Sequence, residues 1–267
     1  MIENGGRNVI SETTASSTSS SLLDRKMTTQ KYSYGVLLYT GSSKKDRKYL
    51  LIQNRDTEAF IYFFLAWNME KWNDNYFQRV IRGFSRDELN RLLYYPFDIL
   101  YTDLYVNHKK GTYQKQYDRA LYNYEYFHSR GDWKKICQTI PTQEIRWGFS
   151  KGRIEVNEDP HHCAMRELEE ETGIAPSDIH LEKNMSSIHY INEKNFFKTA
   201  VHVTLFPART RSDEEIPIQY NIFPNTIRCV SVSNEILHAR WTTMEEAFFL
   251  LSTPLYRILY EFHQGWK

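Results

Sequence analysis

The sequence predicts an α/β fold whose strand-rich core is interrupted by an inserted all-helical lobe. Three observations carry this. Strand-like runs appear at residues 32–54 and return after Glu144. Between them, apolar residues recur at helical spacing through long stretches free of Gly and Pro. Beyond the insertion strands and helices interleave, which marks one core rather than two separate domains.

The elements follow in order. Residues 1–29 are rich in Ser, Thr and Asn and read as a disordered tail, because they offer too little apolar surface to order themselves. Tyr32–Tyr39 and Tyr49–Asn54 read as strands joined by the polar turn Gly41–Arg47, a hairpin. From Thr57 to Thr139 three apolar stripes appear: Phe60, Phe63, Phe64 and Trp67; Phe97, Leu100, Tyr101 and Leu104; Leu121, Tyr124 and Phe127 or His128. They predict a lobe of about four or five helices. Strand texture resumes at Glu144–Phe149, followed by a helix near 160–172 and strands near 186–191 and 197–207. A polar stretch runs from Arg209 to Arg228, with short strands near 229–233 and 238–242. Thr243 and Glu246 have capping-box spacing, and Pro254 opens a last helix over 255–264. The core is therefore 30–56 with 140–267, and the lobe is 57–139.

A chain of 267 residues, 41% hydrophobic, can bury one sizeable core with an appended lobe. The net charge of +1 excludes a global commitment to nucleic acid, so any such contact must be a local patch. No apolar run reaches membrane-spanning length and no charged-then-apolar leader is seen, which predicts neither a membrane span nor secretion. Cys137, Cys163 and Cys229 lie far apart without zinc spacing, which fits a reducing, cytoplasmic setting.

The chemistry is concentrated in residues 152–174. Gly152 is followed by five residues and Glu158, then by seven residues and Arg166-Glu167-Leu168-Glu169-Glu170-Glu171-Thr172-Gly173-Ile174. Asp159 can cap a helix, Pro160 suits its first position and Gly173 its left-handed stop. At ~100° per residue Glu167, Glu170 and Glu171 share one arc of ~100°, while Ala164, Met165, Leu168 and Thr172 form a neighbouring apolar arc. Carboxylates so gathered repel one another unless cations sit among them. Oxygen donors without His or Cys suit Mg²⁺ or Mn²⁺. Arg166 sits one turn before Glu170 and can hold a carboxylate in place; Glu158 can brace the loop. His161 and His162 fall outside the Glu arc and read as solvated surface.

This pattern resembles, position by position, the box of the Nudix hydrolases, G-x5-E-x7-R-E-U-x-E-E-x-G-U with U aliphatic. Beyond the box, residues 31–267 resemble the mRNA-decapping Nudix enzymes of large cytoplasmic DNA viruses, with poxvirus decapping enzymes more distant. Trp147-Gly-Phe-Ser-Lys-Gly-Arg153 is similar to the W-x-x-P-K-G-K of decapping enzymes, although Ser150 stands where Pro is usual. The long helical insertion is a second likeness. The third lies within it: the segment from Pro96 to Tyr105, then His108-Lys-Lys110 and Tyr113-Gln-Lys115, the last two separated by an extra Gly111-Thr112.

The resemblance implies a Nudix α/β/α sandwich with a mixed sheet. It implies hydrolysis of the mRNA cap to 7-methylguanosine diphosphate and 5′-monophosphate RNA, in the host cytoplasm if the protein is viral. By carry-over Glu167, Glu170 and Glu171 bind the metals with the Gly152 carbonyl, and Lys151 contacts the phosphates. Glu235 is a candidate for a further metal ligand or general base.

Within the insertion, Lys109, Lys110 and Lys115 lie among Tyr105, Tyr113 and Tyr117. Cations interleaved with aromatic rings suit the body of a single-stranded RNA. The expected partner is capped mRNA, with a homodimer left open and no membrane. The box alone also admits a hydrolase of diphosphoinositol polyphosphates or nucleoside diphosphate derivatives. A non-catalytic RNA-binding protein is a third reading, against which the intact Glu set argues.

Overall fold

The computed structural model describes residues 31–105, 114–194, 196–218, 220–221, 230–231 and 235–265. The predicted tail at 1–29, Lys109, Lys110 and Cys229 lie outside them. The chain opens with β1 (Lys31–Thr40) and β2 (Lys48–Asn54). Then come α1 (Glu58–Leu65), α2 (Asp74–Ile81), α3 (Arg86–Tyr94), α4 (Phe97–Leu104), α5 (Gln114–Ser129) and α6 (Trp133–Thr139). The core resumes with β3 (Trp147–Gly148), β4 (Lys151–Arg153), α7 (Pro160–Thr172), β5 (Ile179–Leu181), β6 (Ile188–Lys194) and β7 (Thr199–Thr210). It closes with β8 (Tyr220–Asn221), β9 (Val230–Ser231), β10 (Ile236–Thr242), α8 (Met244–Leu250) and α9 (Thr253–Gly265).

The fold is α/β with a mixed sheet. The main path runs β10-β2-β1-β7-β5, with β3 on β2, β4 on β1 and β6 on β7. Among the described residues only the β1–β7 pair is parallel, and the others are antiparallel. Strand periodicity explains the two faces. Leu37 and Tyr39 of β1, with Tyr49 and Leu51 of β2, pack against Ala247, Leu259 and Phe262 of α8 and α9. Val36, Leu38 and Leu50 point the other way, onto Ala164 and Leu168 of α7. The result is an α/β/α sandwich. The hairpin register is short, Tyr39 opposite Tyr49 and Thr40 opposite Lys48, after which β1 and β2 diverge to take β4 and β3 as partners.

The lobe has its own core, in which Phe60, Phe63, Phe64, Phe77, Phe84 and Phe127 are buried together. Its helix starts are capped by Thr57, Asn73 and Ser85. An ion-pair network lies beneath its junction with β2. Arg91 pairs with Asp56 and Asp103, and Arg55 with Asp56, all four side chains buried.

Several expectations need correction. The lobe has six α-helices among the described residues rather than four or five, because Pro96 and the Arg130–Asp132 turn divide the apolar pattern further. Trp67 does not continue the stripe of Phe60, Phe63 and Phe64: α1 ends at Leu65, and the indole is 66% exposed. The strand expected at 197–207 begins at Thr199, after a turn that carries Phe196–Lys198. Strand structure at 144–149 shrinks to Trp147–Gly148, and β5 adds a strand that the sequence pattern does not predict.

Candidate active site

The site is built on α7 and the β4 segment beside it. Asp159 caps α7 by accepting from the backbone N–H groups of His161 and His162 at 2.9 and 3.2 Å. Pro160 occupies the first turn, and Gly173 closes the helix at φ 74°, a conformation glycine adopts without strain. With Cys163, Ala164, Leu168 and Thr172 buried, the carboxylate arc is turned towards β4.

Gly152 is the tightest point. A Cβ there would lie 1.8 Å from Glu167 Cδ and 2.0 Å from both of its carboxylate oxygens. The Glu167 carboxylate therefore occupies the volume that any other residue would need for its side chain. Ser33 Oγ donates to the Gly152 carbonyl at 2.8 Å across the β1–β4 pair.

Arg166 ties the loop to the helix. Its Nε and Nη2 donate to the two Glu158 oxygens at 2.8 and 3.0 Å, a bidentate pair. Its Nη1 donates to Glu167 at 2.8 Å and to Glu170 at 3.1 Å, and Nη2 also reaches the Arg153 carbonyl at 3.1 Å. Glu158 in turn accepts from the Glu155 N–H at 2.9 Å. The Arg166 bonds hold the Glu158 carboxyl down to about 2, and the same pairing raises the Arg166 pKa.

Glu171 is the buried member and accepts from the Lys151 backbone N–H at 3.0 Å. Burial pushes its carboxyl up to about 8, against the opposing pull of the Ser150 hydroxyl and the Lys151 charge. Glu167 is also raised by burial, with Arg166 opposing. Glu170 is exposed on the same face.

Among the described residues no three Asp, Glu, His or Cys side chains are already drawn into a cage. Arg166 supplies the countercharge for Glu167 and Glu170, while Glu171 is held at the Lys151 N–H. The donor set nevertheless suits a hard divalent cation: the carboxylates share one helix face, and Glu167 packs against Gly152, whose carbonyl is a further oxygen donor. His161 stacks on Phe206 at 4.1 Å and His162 faces Asp159, so neither imidazole is spent on the carboxylates.

Glu235 immediately precedes β10, is exposed, and contributes to the negative field felt by Glu167. Its carbonyl accepts from the Arg55 N–H at 2.8 Å. The fold thus brings Glu235 towards a helix more than sixty residues earlier in the chain. Lys115 is exposed on α5, in the lobe, and is not part of this cluster.

Two contributors escaped the sequence. Ser33 reaches Gly152 only through the β1–β4 register. Lys194, at the end of β6, is close enough to Lys151, Arg153 and Lys31 to feel their charges, again through strand pairing. Neither carries a local motif that would have marked it.

Residues 132–263 match the family model described as the NUDIX domain. β1 and β2 lie outside that span yet sit at the centre of the sheet, because the lobe separates them from the rest. No curated protein matches the chain. Similar solved structures include a binary complex of a C. elegans Ap4A hydrolase, 11% identical with a TM-score of 0.43, covering 88% of this chain and 96% of the other. The M. smegmatis Nudix hydrolase RenU is 11% identical with a TM-score of 0.41, covering 88% and 86%. The E. coli dihydroneopterin triphosphate pyrophosphohydrolase is 13% identical with a TM-score of 0.41, covering 88% and 98%.

Proposed function

We propose that the chain is a Nudix hydrolase, its NUDIX-matching segment forming the catalytic core of an mRNA-decapping enzyme that releases 7-methylguanosine diphosphate and leaves 5′-monophosphate RNA. The observation that carries the proposal is the lobe. Among the described residues six helices with their own buried core stand in sequence between β2 and β3, and a carboxylate set needs no such second body to cut a small diphosphate. A long substrate such as RNA gives that extra surface a use.

Glu167, Glu170, Glu171 and the Gly152 carbonyl would hold the Mg²⁺ or Mn²⁺. A cation bound there neutralises the phosphate chain and lowers the pKa of a bound water. Arg166 keeps Glu167 and Glu170 on one side of the helix. Lys151 supplies positive charge for the bridging phosphates. Glu235 would serve as a further metal ligand or take the proton of the attacking water at its carboxylate.

The experiment compares the wild type with a Lys109→Ala, Lys110→Ala, Lys115→Ala triple variant on long capped RNA at several salt concentrations. Loss of up to three phosphate contacts flattens the log–log salt dependence by up to about two units, since single strands give ~0.7 per contact. An unchanged slope, together with turnover of diphosphoinositol polyphosphates in place of capped RNA, would favour the small-molecule reading.

A further inference from the structure

A cleft of about 990 Å³ opens between α1, the start of α5 and the turn joining β6 to β7. This is at the upper end of the size range of ligand sites. It lies outside the carboxylate cluster, and its lining combines two kinds of side chain. Tyr62, Trp67 and Phe197 bring aromatic rings, and Lys115, Arg119 and Lys198 bring positive charge. No Asp or Glu is among the described residues that line it.

Trp67 is the unusual member. A tryptophan two-thirds exposed forgoes most of its burial energy. One face of its ring is covered by the Arg119 guanidinium at 3.1 Å, and Arg119 is itself anchored to the Leu65 carbonyl at 3.1 Å. The indole is thus braced from one side and open on the other. Tyr62 is held as well, stacked on Trp72 at 5.9 Å and bonded to the Tyr76 hydroxyl at 3.1 Å. The turn that carries Phe197 and Lys198 is docked on the lobe, the Glu58 carboxylate accepting from the Phe196 and Phe197 N–H groups at 3.0 and 3.4 Å.

The cleft is connected to the active site by charge. β6 ends at Lys194, directly before this turn, and Lys194 is within electrostatic range of Lys151 and Arg153. Arg153 is opposite Ser33, Ser33 opposite Val203, and Val203 opposite Tyr190, so Lys194 stands four residues further along β6. Crossing from β4 to β6 also takes three strand spacings of ~4.8 Å, so with ~3.3 Å per residue along the strand the two backbone positions are roughly 20 Å apart. Lys194 feels these basic side chains and also Glu58, whose carboxylate holds the turn at the cleft.

We propose that this cleft holds a single-stranded stretch of RNA, one base stacked on the open face of Trp67 and its phosphates against Lys115, Arg119 and Lys198. Every base has a π-face, so an aromatic platform among cations accepts a strand irrespective of sequence. The assignment rests on the decapping proposal only in naming RNA as the source of the strand.

The test uses the full chain and an uncapped single-stranded RNA of about twelve nucleotides, a length typical of such sites, with affinity read by fluorescence anisotropy. Trp67→Leu binds about tenfold more weakly, the loss expected of one stacked base. Trp67→Phe retains most of the affinity, which separates stacking from a folding defect. Matching thermal unfolding of the three proteins checks the fold. Equal affinity of wild type and Trp67→Leu overturns the proposal. So does duplex RNA binding as tightly as single-stranded RNA, because paired bases cannot stack on the indole. Free guanosine monophosphate competing as strongly as the oligonucleotide also overturns it, in favour of a mononucleotide site. Because the probe has no cap, failure here leaves cap hydrolysis untouched, and absence of cap hydrolysis leaves strand binding intact.

Discussion

Replacing Gly152 by Ala tests the site at its tightest point. The added Cβ would fall 1.8 Å from Glu167 Cδ, so the carboxylate must withdraw by about 1.5 Å to reach ordinary contact. That displacement moves Glu167 away from the Gly152 carbonyl and strains its 2.8 Å bond to Arg166. A misplacement of about 1 Å in a catalytic constellation costs on the order of a hundredfold in rate. Stability should change little. Gly152 is not in the left-handed region, the obstructing group is the end of a flexible side chain, and Ala recovers about 0.4–1 kcal/mol by restricting the unfolded chain. The assay pairs turnover on capped RNA at saturating divalent cation with thermal unfolding. The expected result is a loss of at least about a hundredfold with Tm within a few degrees of wild type. Turnover within about threefold of wild type would refute the role given to the Gly152–Glu167 contact.

Glu170→Gln should abolish hydrolysis while leaving the melting temperature nearly unchanged, since Glu170 is exposed and its recorded partner is Arg166; more than about a tenth of wild-type turnover would contradict its role as a ligand. Activity should vanish in excess chelator and return with added Mg²⁺ or Mn²⁺, and full activity in chelator would exclude this chemistry. Without a cation Glu171 keeps its proton up to about pH 8, and a cation requires it ionised. Binding therefore releases a proton below that pH, and cation affinity, followed by calorimetry, should rise as pH increases towards 8 and then level off; a flat profile from pH 6 to 9 would contradict this. Arg91→Met removes the cation bonded to both buried Asp56 and Asp103 and leaves Arg55 to face the two carboxylates. It should cost about 3–5 kcal/mol, lowering Tm by roughly 10 °C, whereas a fall of less than about 3 °C would show that the network is dispensable.

The parts legible in the sequence were those written in local spacing. Asp159, Pro160 and Gly173 set the bounds of α7, and helical geometry alone put Glu167, Glu170 and Glu171 on one face. The continuous apolar run Val36-Leu37-Leu38-Tyr39 was readable as a strand, and the Thr243–Glu246 capping box formed as its spacing implied. What could not be read depends on pairing between distant segments. Ser33 meets Gly152, and Lys194 nears Lys151, only once the β1–β4 and β6–β7 registers are set. Trp67 misled for a different reason. Its spacing matched the stripe of α1, but the helix ends two residues earlier, where Asn123 from α5 donates to the Phe63 and Ala66 carbonyls at 2.8 and 3.0 Å. A tertiary contact takes over those carbonyls and turns the indole out to the cleft.

The most direct test of the central claim is to incubate the protein with RNA carrying a cap labelled in its phosphates, in the presence of Mg²⁺ or Mn²⁺, and to identify the released nucleotide by chromatography. The account predicts 7-methylguanosine diphosphate as the labelled product and a 5′-monophosphate on the remaining RNA, with no release by Glu170→Gln. Intact capped RNA after exhaustive incubation, under conditions where the same preparation cleaves diphosphoinositol polyphosphates or a nucleoside diphosphate derivative, would contradict it.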